Sequence, residues 1–172
     1  MCRNMKYNLY KSSKMKRNMT FLPITLNITE KDILVIGGGN VAFQKIRLLL
    51  PFTNNITVIA REINDQIRAL PVKKFIEKEY EPDDLQGFYV IYAATNLFEL
   101  NKRIYDRAHE LCTLVCVVDN VPYCDFVSPA IYKKDNMTIS VGSNAEDVKA
   151  SIRLRNKIKK YLEDDNTYIN KL

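Results

Sequence analysis

The sequence predicts an α/β fold, a doubly wound parallel sheet with helices on both faces, followed by a small C-terminal region of one strand pair and one helix. Two observations carry this prediction. Between residues 32 and 118, short apolar runs rich in β-branched residues alternate with segments of helical spacing, which indicates right-handed β–α–β crossovers. After Asp119 the alternation stops, and two strand-like runs precede one long helical segment.

Each element of the sheet has its own signal. Continuous apolar runs predict buried strands, whereas the weak alternation in 74–80 predicts an edge strand. The expected strands are 32–36, 56–60, 74–80, 88–94 and 114–118. Apolar residues at helical spacing predict the intervening helices at 41–50, 62–70 and 97–111.

The C-terminal region is predicted from the same kinds of pattern. Runs 126–132 and 137–141 are expected to pair as strands through the polar turn 133–136, and a helix is expected over 145–162. This region has few residues for a core of its own, so we expect it to serve dimerisation and substrate binding, and we expect a homodimer.

Charge is concentrated at one end of the chain. The net charge is +6, but residues 1–18 hold six of the 26 basic residues and no acid, which leaves 20 basic and 20 acidic residues. We expect 1–18 to be a basic, disordered tail without helical periodicity. A nucleic-acid or membrane arm is the alternative. No apolar run reaches the roughly 20 residues of a membrane span, so we expect a cytoplasmic protein with no membrane and no nucleic-acid partner.

A glycine-rich turn follows the first predicted strand and opens the first predicted helix. Gly37-x-Gly39-x-x-Ala42 fits the G-x-G-x-x-G/A pattern of dinucleotide-binding Rossmann units. The first glycine makes the turn, the second lets backbone approach a pyrophosphate, and the third position is small for helix–strand packing. We therefore predict a dinucleotide at Gly37, Gly38 and Gly39. A glycine turn that serves packing alone is the alternative.

The end of the second strand bears on the choice of cofactor. An acidic residue usually holds the ribose hydroxyls of NAD at this place. Here the strand ends in Ala60-Arg61-Glu62. Arg61 suits the 2′-phosphate of NADP, Glu62 suits a ribose, and both also suit a solvated helix start, so the residues alone leave NAD and NADP open.

Two other strand ends are expected at the same crevice, since ligands of open parallel sheets bind where the strand order reverses. They carry Ala94-Thr95 and Asp119. A carboxylate at the mouth of an apolar strand can act as a general base. The alternative is an Asp that caps the following loop. Four cysteines without paired metal-ligand spacing and a single histidine predict no metal site.

An ordered set of short strings extends through most of the chain and resembles the siroheme synthase N-terminal family, the precorrin-2 dehydrogenases. The resemblance covers about residues 19–160. The strings are Leu22-Pro23-Ile24, Val35 through Ala42 with Lys45, Ala93-Ala94-Thr95 with Asn101, Val117-Val118-Asp119, and Phe126 with Pro129-Ala130-Ile131.

The resemblance implies a function and site residues. Members of the family oxidise precorrin-2 to sirohydrochlorin with NAD, and several also insert Fe²⁺. Asp119 matches the family's catalytic aspartate, and Ser143 lies near its serine in the tetrapyrrole cleft. The cofactor positions match Asn40 and Val41 after the glycines and the pair Arg61 and Glu62, and the family's NAD preference decides the cofactor that we expect.

The prediction is thus an NAD-dependent precorrin-2 dehydrogenase with an NAD-binding domain at 19–119 and a dimerisation and substrate region at 120–172. One departure concerns the loop after Ser143, where the family often has two glycines and this chain has Asn144-Ala145; this departure leaves iron insertion open. The alternative functions are a non-catalytic NAD(H)-sensing module, which has no need of Asp119, and nucleic-acid binding through the tail, which predicts an affinity that falls steeply with salt.

Overall fold

The computed structural model describes residues 19–164 and contains the predicted parallel sheet. The predicted tail 1–18 lies outside the described residues. All four pairings between the five strands are parallel, in the order β3-β2-β1-β4-β5. The predicted edge strand is therefore confirmed at one edge. The strands are β1 (Ile33–Ile36), β2 (Ile56–Ala60), β3 (Lys74–Glu77), β4 (Val90–Ala93) and β5 (Leu114–Val117).

Helices cover both faces of this sheet, as a doubly wound fold requires. They are α1 (Asn40–Leu49), α2 (Asp65–Arg68) and α3 (Phe98–Glu110). Side chains of a strand point alternately to opposite faces. Val35 of β1 therefore packs in one core layer with Ile46 of α1, and Leu34 packs in the other with Ile104 of α3.

Helix α2 is shorter than the predicted helix 62–70. The side chain of Asn64 accepts a hydrogen bond from the backbone N–H of Ile67 at 2.9 Å and so caps the helix start. The N–H of Ile63 bonds instead to the carboxylate of Glu77, the last residue of β3, at 3.3 Å. Residues 62–64 are thus tied to the neighbouring strand, which leaves one helical turn.

The strand order reverses between β1 and β4. From β1 the chain proceeds outward to β2 and β3, then returns to β4 on the opposite side of β1. The two crossovers diverge at the carboxyl ends of β1 and β4, and this divergence opens a crevice there. The glycine turn lies at that crevice because it follows β1 directly.

The C-terminal region consists of an antiparallel strand pair and a helix. The strands are β6 (Ala130–Lys134) and β7 (Met137–Val141), and the helix is α4 (Val148–Asp164), which packs across the pair. Arg155 of α4 donates hydrogen bonds to the carbonyl oxygen of Ile131 and to the side chain of Asn156. Arg155 therefore joins α4 to β6.

The prediction of a strand at 126–132 is wrong in its position. Phe126 instead packs edge-on against Tyr92 of β4, with ring centroids 5.4 Å apart. Pro129 cannot donate a backbone hydrogen bond to a strand ladder, and β6 begins at the next residue. Lys133 and Lys134 belong to β6, which shortens the turn to Asp135 and Asn136.

Across residues 19–164, no helix combines the length and the apolar composition that crossing a bilayer requires. The segment that precedes β1 also contacts the C-terminal region. The Asn144 carbonyl accepts a hydrogen bond from the N–H of Phe21 at 2.7 Å, and its amide donates to the carbonyl oxygen of Met19. Residues 19–21 are thereby joined to the loop that follows β7.

Candidate functional site

A cleft of about 830 Å³ lies at the carboxyl ends of the parallel strands. The glycine turn and the start of α1 form its floor, and the segments that follow β2, β4 and β5 form its walls. All of the predicted cofactor residues and Asp119 line this one cleft. The cofactor set is Gly37, Gly38, Gly39, Asn40, Val41, Arg61, Glu62, Ala94 and Thr95.

The first two glycines are required by contacts within the protein. Gly37 has a φ of 134°, and a Cβ on it would lie 2.3 Å from the carbonyl oxygen of Ala94. A Cβ on Gly38 would lie 1.8 Å from the carbonyl oxygen of Glu62. Neither place admits a side chain, so the turn is held tightly between the segments that follow β2 and β4.

The third glycine differs because the space beside it is open. Apart from its immediate chain neighbours, no atom of residues 19–164 lies within 4 Å of a Cβ built on Gly39. Gly39 is also the N-cap of α1, where no side chain caps the helix and no acidic residue stands in the first turn. Free N–H groups and the helix dipole at such a start favour an anion. The turn therefore fits a pyrophosphate.

Arg61 is paired with a residue from the neighbouring strand. Its guanidinium lies 2.9 Å from the carboxylate of Glu79, and both side chains are 72% exposed. Sequence reasoning missed Glu79 because only the parallel pairing of β2 with β3 brings it beside Arg61. The negative charge of Glu79 offsets the positive charge of Arg61, which would otherwise attract a 2′-phosphate. Glu62, in contrast, has no ion pair within residues 19–164.

The loop after β4 is held by a buried amide. The Asn101 carbonyl accepts a hydrogen bond from the Thr95 hydroxyl at 2.6 Å, and its amide donates to the Thr95 carbonyl oxygen at 2.9 Å. Asn101 is only 5% exposed. It fixes the segment whose Ala94 carbonyl touches the glycine turn. Its place in the family strings was the only sequence signal for it.

Tyr80 contributes an unusual polar group to the cleft wall. Burial raises the pKa of its phenol to about 12, so the side chain stays neutral at physiological pH. Its hydroxyl is buried and has no hydrogen-bond partner among residues 19–164. A buried polar atom without a partner is rare in folded proteins.

Asp119 stands in the turn that ends β5. Its φ is 63°, in the left-handed region that Asp and Asn tolerate better than most residues. Its carboxylate is exposed and accepts no hydrogen bond from other residues of the described chain. The structure therefore gives no support to the alternative in which Asp119 caps the following loop.

A second cavity, of about 310 Å³, adjoins the cleft. Within residues 19–164, only Val118 and Asp119 line both spaces. The second cavity is enclosed by β5, by Lys45 of α1 and by the loop between β7 and α4. Lys45 was quoted in the family resemblance, but no residue pattern marked it as part of a site.

Ser143 lines the second cavity and does not line the cofactor cleft. Its hydroxyl accepts a hydrogen bond from the backbone N–H of Asp147 at 3.0 Å. It therefore orders the loop that leads into α4 and faces the cavity that adjoins Asp119. In residues 19–164, no group of three or more His, Cys, Asp or Glu side chains could hold a metal ion.

The five-stranded parallel sheet, with its glycine turn at the point of strand reversal, defines a dinucleotide-binding protein of the Rossmann type. The model of a family described as putative NAD(P)-binding matches residues 24–130. The chain belongs to that family.

Several curated relatives of the chain are siroheme synthases, which is the family that the sequence resembles. The chain is 31% identical over 147 residues to siroheme synthase 1 of Cronobacter sakazakii, covering 84% of this chain and 31% of that protein. It is 36% identical over 129 residues to the siroheme synthase of Nitrosomonas europaea, covering 73% and 27%. The chain thus spans about a third or less of these relatives.

A solved structure has the same fold. SirC, a precorrin-2 dehydrogenase, superposes with a TM-score of 0.71 at 20% sequence identity, covering 82% of this chain and 70% of the other. The coverage extends beyond the Rossmann sheet, in agreement with the observed strand pair and helix.

Proposed function

We propose that the protein oxidises precorrin-2 to sirohydrochlorin with NAD as the oxidant, as a step of siroheme biosynthesis. One observation carries the proposal: Asp119 lies on the rim that joins the cleft at the glycine turn to a second cavity with a basic side chain. The siroheme synthase relatives and the SirC fold support the identity of the substrate.

The cofactor side of the proposal uses the larger cleft. The pyrophosphate would lie on Gly39 and on the first N–H groups of α1, at Asn40 and Val41. Glu62 would accept hydrogen bonds from the adenosine ribose. Arg61 is partly neutralised by Glu79, which favours NAD over NADP. When bound, the nicotinamide supplies the hydride acceptor.

On the substrate side, only part of the tetrapyrrole would enter the smaller cavity of about 310 Å³. Lys45 would attract a carboxylate of the acidic tetrapyrrole, and the wall formed by Ser143 would limit how the ring lies. Dehydrogenation removes a hydride and a proton from the reduced macrocycle. The Asp119 carboxylate accepts the proton as general base, and no other residue holds it through a hydrogen bond or an ion pair within the described chain.

The test is a turnover assay on the purified chain. Precorrin-2 and NAD are mixed with the protein, and the absorbance of sirohydrochlorin and of NADH is followed. We expect both to rise together. NADH binding without turnover would refute the dehydrogenase and favour the NAD(H)-sensing alternative. A second arm with Fe²⁺ or Co²⁺ measures metal insertion, which the Asn144-Ala145 departure leaves open.

We also propose that the protein acts as a homodimer in the cytoplasm. Apolar side chains of the C-terminal region are exposed, among them Met137, Leu154 and Tyr161. Such residues on a helix and strand pair outside the main core favour a subunit interface. Cys116 and Cys124 are buried next to each other as free cysteines, which suits a reducing compartment.

A further inference from the structure

Two buried cysteines face each other beside Asp119, and the proposed reaction does not use them. Cys116 lies in β5 and Cys124 follows the 3-10 turn at 121–123. The two residues are directly opposite in an isolated antiparallel bridge. Their sulfur atoms are 3.6 Å apart, with exposed fractions of 4% and 9%.

The backbone geometry suits a bond between the two sulfurs. Directly opposed residues of antiparallel strands have Cα atoms about 4.5–5.5 Å apart. Disulfides span Cα separations of about 4.4–6.8 Å. Rotation of the side chains, without movement of the backbone, is therefore enough to bring the sulfurs within bonding distance.

The surroundings give the pair access and a reactive partner. Both cysteines line the second cavity, and Lys45 lines it too, so a small oxidant that enters the cavity reaches the sulfurs. The hydrogen bond between the sulfurs lowers the pKa of Cys124 and, together with burial, raises the pKa of Cys116. Cys124 is the more exposed of the two, at 9% against 4%, so an oxidant in the cavity meets it first, and the positive charge of Lys45 favours its thiolate.

We propose that Cys116 and Cys124 form a redox-active dithiol that a peroxide converts to a disulfide. The Cys124 thiolate attacks the peroxide, an S–O bond forms, the O–O bond breaks, and the leaving oxygen departs as water after protonation. The Cys116 sulfur then attacks the sulfenic acid, so an S–S bond replaces the S–O bond and a second water leaves. Two electrons pass from the thiols to the peroxide.

Closing this bond acts on Asp119 through the turn that carries it. The Cys124 thiol donates to the carbonyl oxygen of Val117 at 3.1 Å and lies 3.4 Å from that of Asn120. These carbonyls flank the turn that contains Asp119. A disulfide removes the thiol hydrogen and draws the sulfur toward Cys116, so the turn loses this support. We therefore expect oxidation of the pair to lower turnover; this effect, unlike the disulfide itself, rests on the proposed function.

The experiment first tests the bond. Wild-type protein and Cys2→Ser/Cys112→Ser, which retains only the pair out of four cysteines, are treated with stoichiometric hydrogen peroxide. We expect each to lose two thiols, to yield a 116–124 cross-linked peptide by mass spectrometry, and to recover both thiols with dithiothreitol. Retained thiols, sulfinic acid on Cys124 or only intermolecular links would overturn the proposal.

The second arm measures function on the same samples. Cys2→Ser/Cys112→Ser should keep the basal turnover, and its peroxide-treated form should lose about tenfold or more while NADH affinity is unchanged. In Cys116→Ser, peroxide should cause no loss of turnover that dithiothreitol reverses. A disulfide that leaves turnover intact would refute the link to Asp119. Absent turnover in the reduced protein would instead refute the proposed function, and the thiol and peptide measurements would still decide the disulfide.

Discussion

At the scale of single residues, the three consecutive glycines have different reasons to be glycine. Gly37 and Gly38 abut carbonyl oxygens of neighbouring segments, whereas Gly39 faces open space at the start of α1. Packing therefore accounts for the first two glycines, and we propose that binding of an anion accounts for the third. The sequence pattern alone does not separate these roles, because it contains neither the Ala94 nor the Glu62 carbonyl.

Replacing Gly38 and Gly39 separately by Ala should divide stability from binding. Gly38→Ala places a Cβ 1.8 Å from a backbone oxygen and should lower the free energy of unfolding by about 2–3 kcal/mol. Gly39→Ala should lower it by only about 0.5–1 kcal/mol, because alanine is a poorer N-cap than glycine, and should weaken NADH binding roughly tenfold, or about 1.4 kcal/mol. Urea unfolding and NADH fluorescence titration measure the two effects. Equal losses of stability would contradict this assignment.

Asp119→Asn should remove the general base with little change in shape. Turnover of precorrin-2 should fall by roughly 10²–10⁴-fold, while the NADH dissociation constant stays the same, because the glycine turn is untouched. Asp135→Asn is the matched control: Asp135 is also an exposed acid with positive φ, 51° against 63°, but it lies on the β6–β7 turn. Undiminished turnover in Asp119→Asn would remove Asp119 from the mechanism.

At the scale of secondary structure elements, the loop between β7 and α4 keeps a backbone that its residues do not favour. Asn144 and Ala145 have φ values of 56° and 65°. These are the positions where the resembled family often has two glycines. Asn144 tolerates the conformation and uses its side chain to contact the segment at 19–21. Ala145 has no such compensation.

Ala145→Gly should therefore stabilise the protein. The left-handed conformation costs an L-residue about 1–2 kcal/mol, and part of this gain is lost to the greater freedom of glycine in the unfolded chain. The expected net gain is about 0.5–1 kcal/mol in urea unfolding. Ala150→Gly in α4 is the control of opposite sign, with an expected loss of about 0.5–1 kcal/mol. A similar loss in both variants would show that the loop carries no strain.

The elements also show which parts of the fold follow from local sequence. Strand β2 agrees with its expected bounds because its five consecutive residues are all apolar or β-branched and the first four of them are buried. The expected strand at 126–132 failed because Phe126 is apolar for a different reason, its contact with Tyr92 in the Rossmann core. Local periodicity indicates that a residue is buried, but it does not indicate which layer of the molecule buries it.

The candidate site likewise contains residues that local sequence predicts and residues that it does not. Asp119 and the glycine turn were expected, since each directly follows a recognisable strand. Glu79, Lys45 and Cys124 were not, because they meet the site only through strand pairing, through the packing of α1 and through the bridge to β5. Asn101 was visible only within the family strings. Contacts between distant segments explain each of these misses.

At the scale of the whole molecule, the proposed homodimer predicts a selective effect of charge on α4. Leu154 and Tyr161 are seven residues apart on one side of the helix and are 50% and 64% exposed. Leu154→Glu should weaken the dimer by about tenfold or more, because it buries a charge without a partner. Asn156→Glu adds the same charge to another side of α4 and should leave association intact. Sedimentation velocity measures both, and a monomeric wild type would contradict the dimer.

The two spaces that share Asp119 are otherwise lined by different parts of the described chain, one by the glycine turn and the other by Lys45 of α1 and the start of α4. Neither reactant has to leave before the other enters, so catalysis should pass through a ternary complex with random order of addition. Double-reciprocal plots of initial rate should then intersect rather than run parallel. NADH should inhibit competitively against NAD alone, leaving the apparent affinity for the tetrapyrrole almost constant.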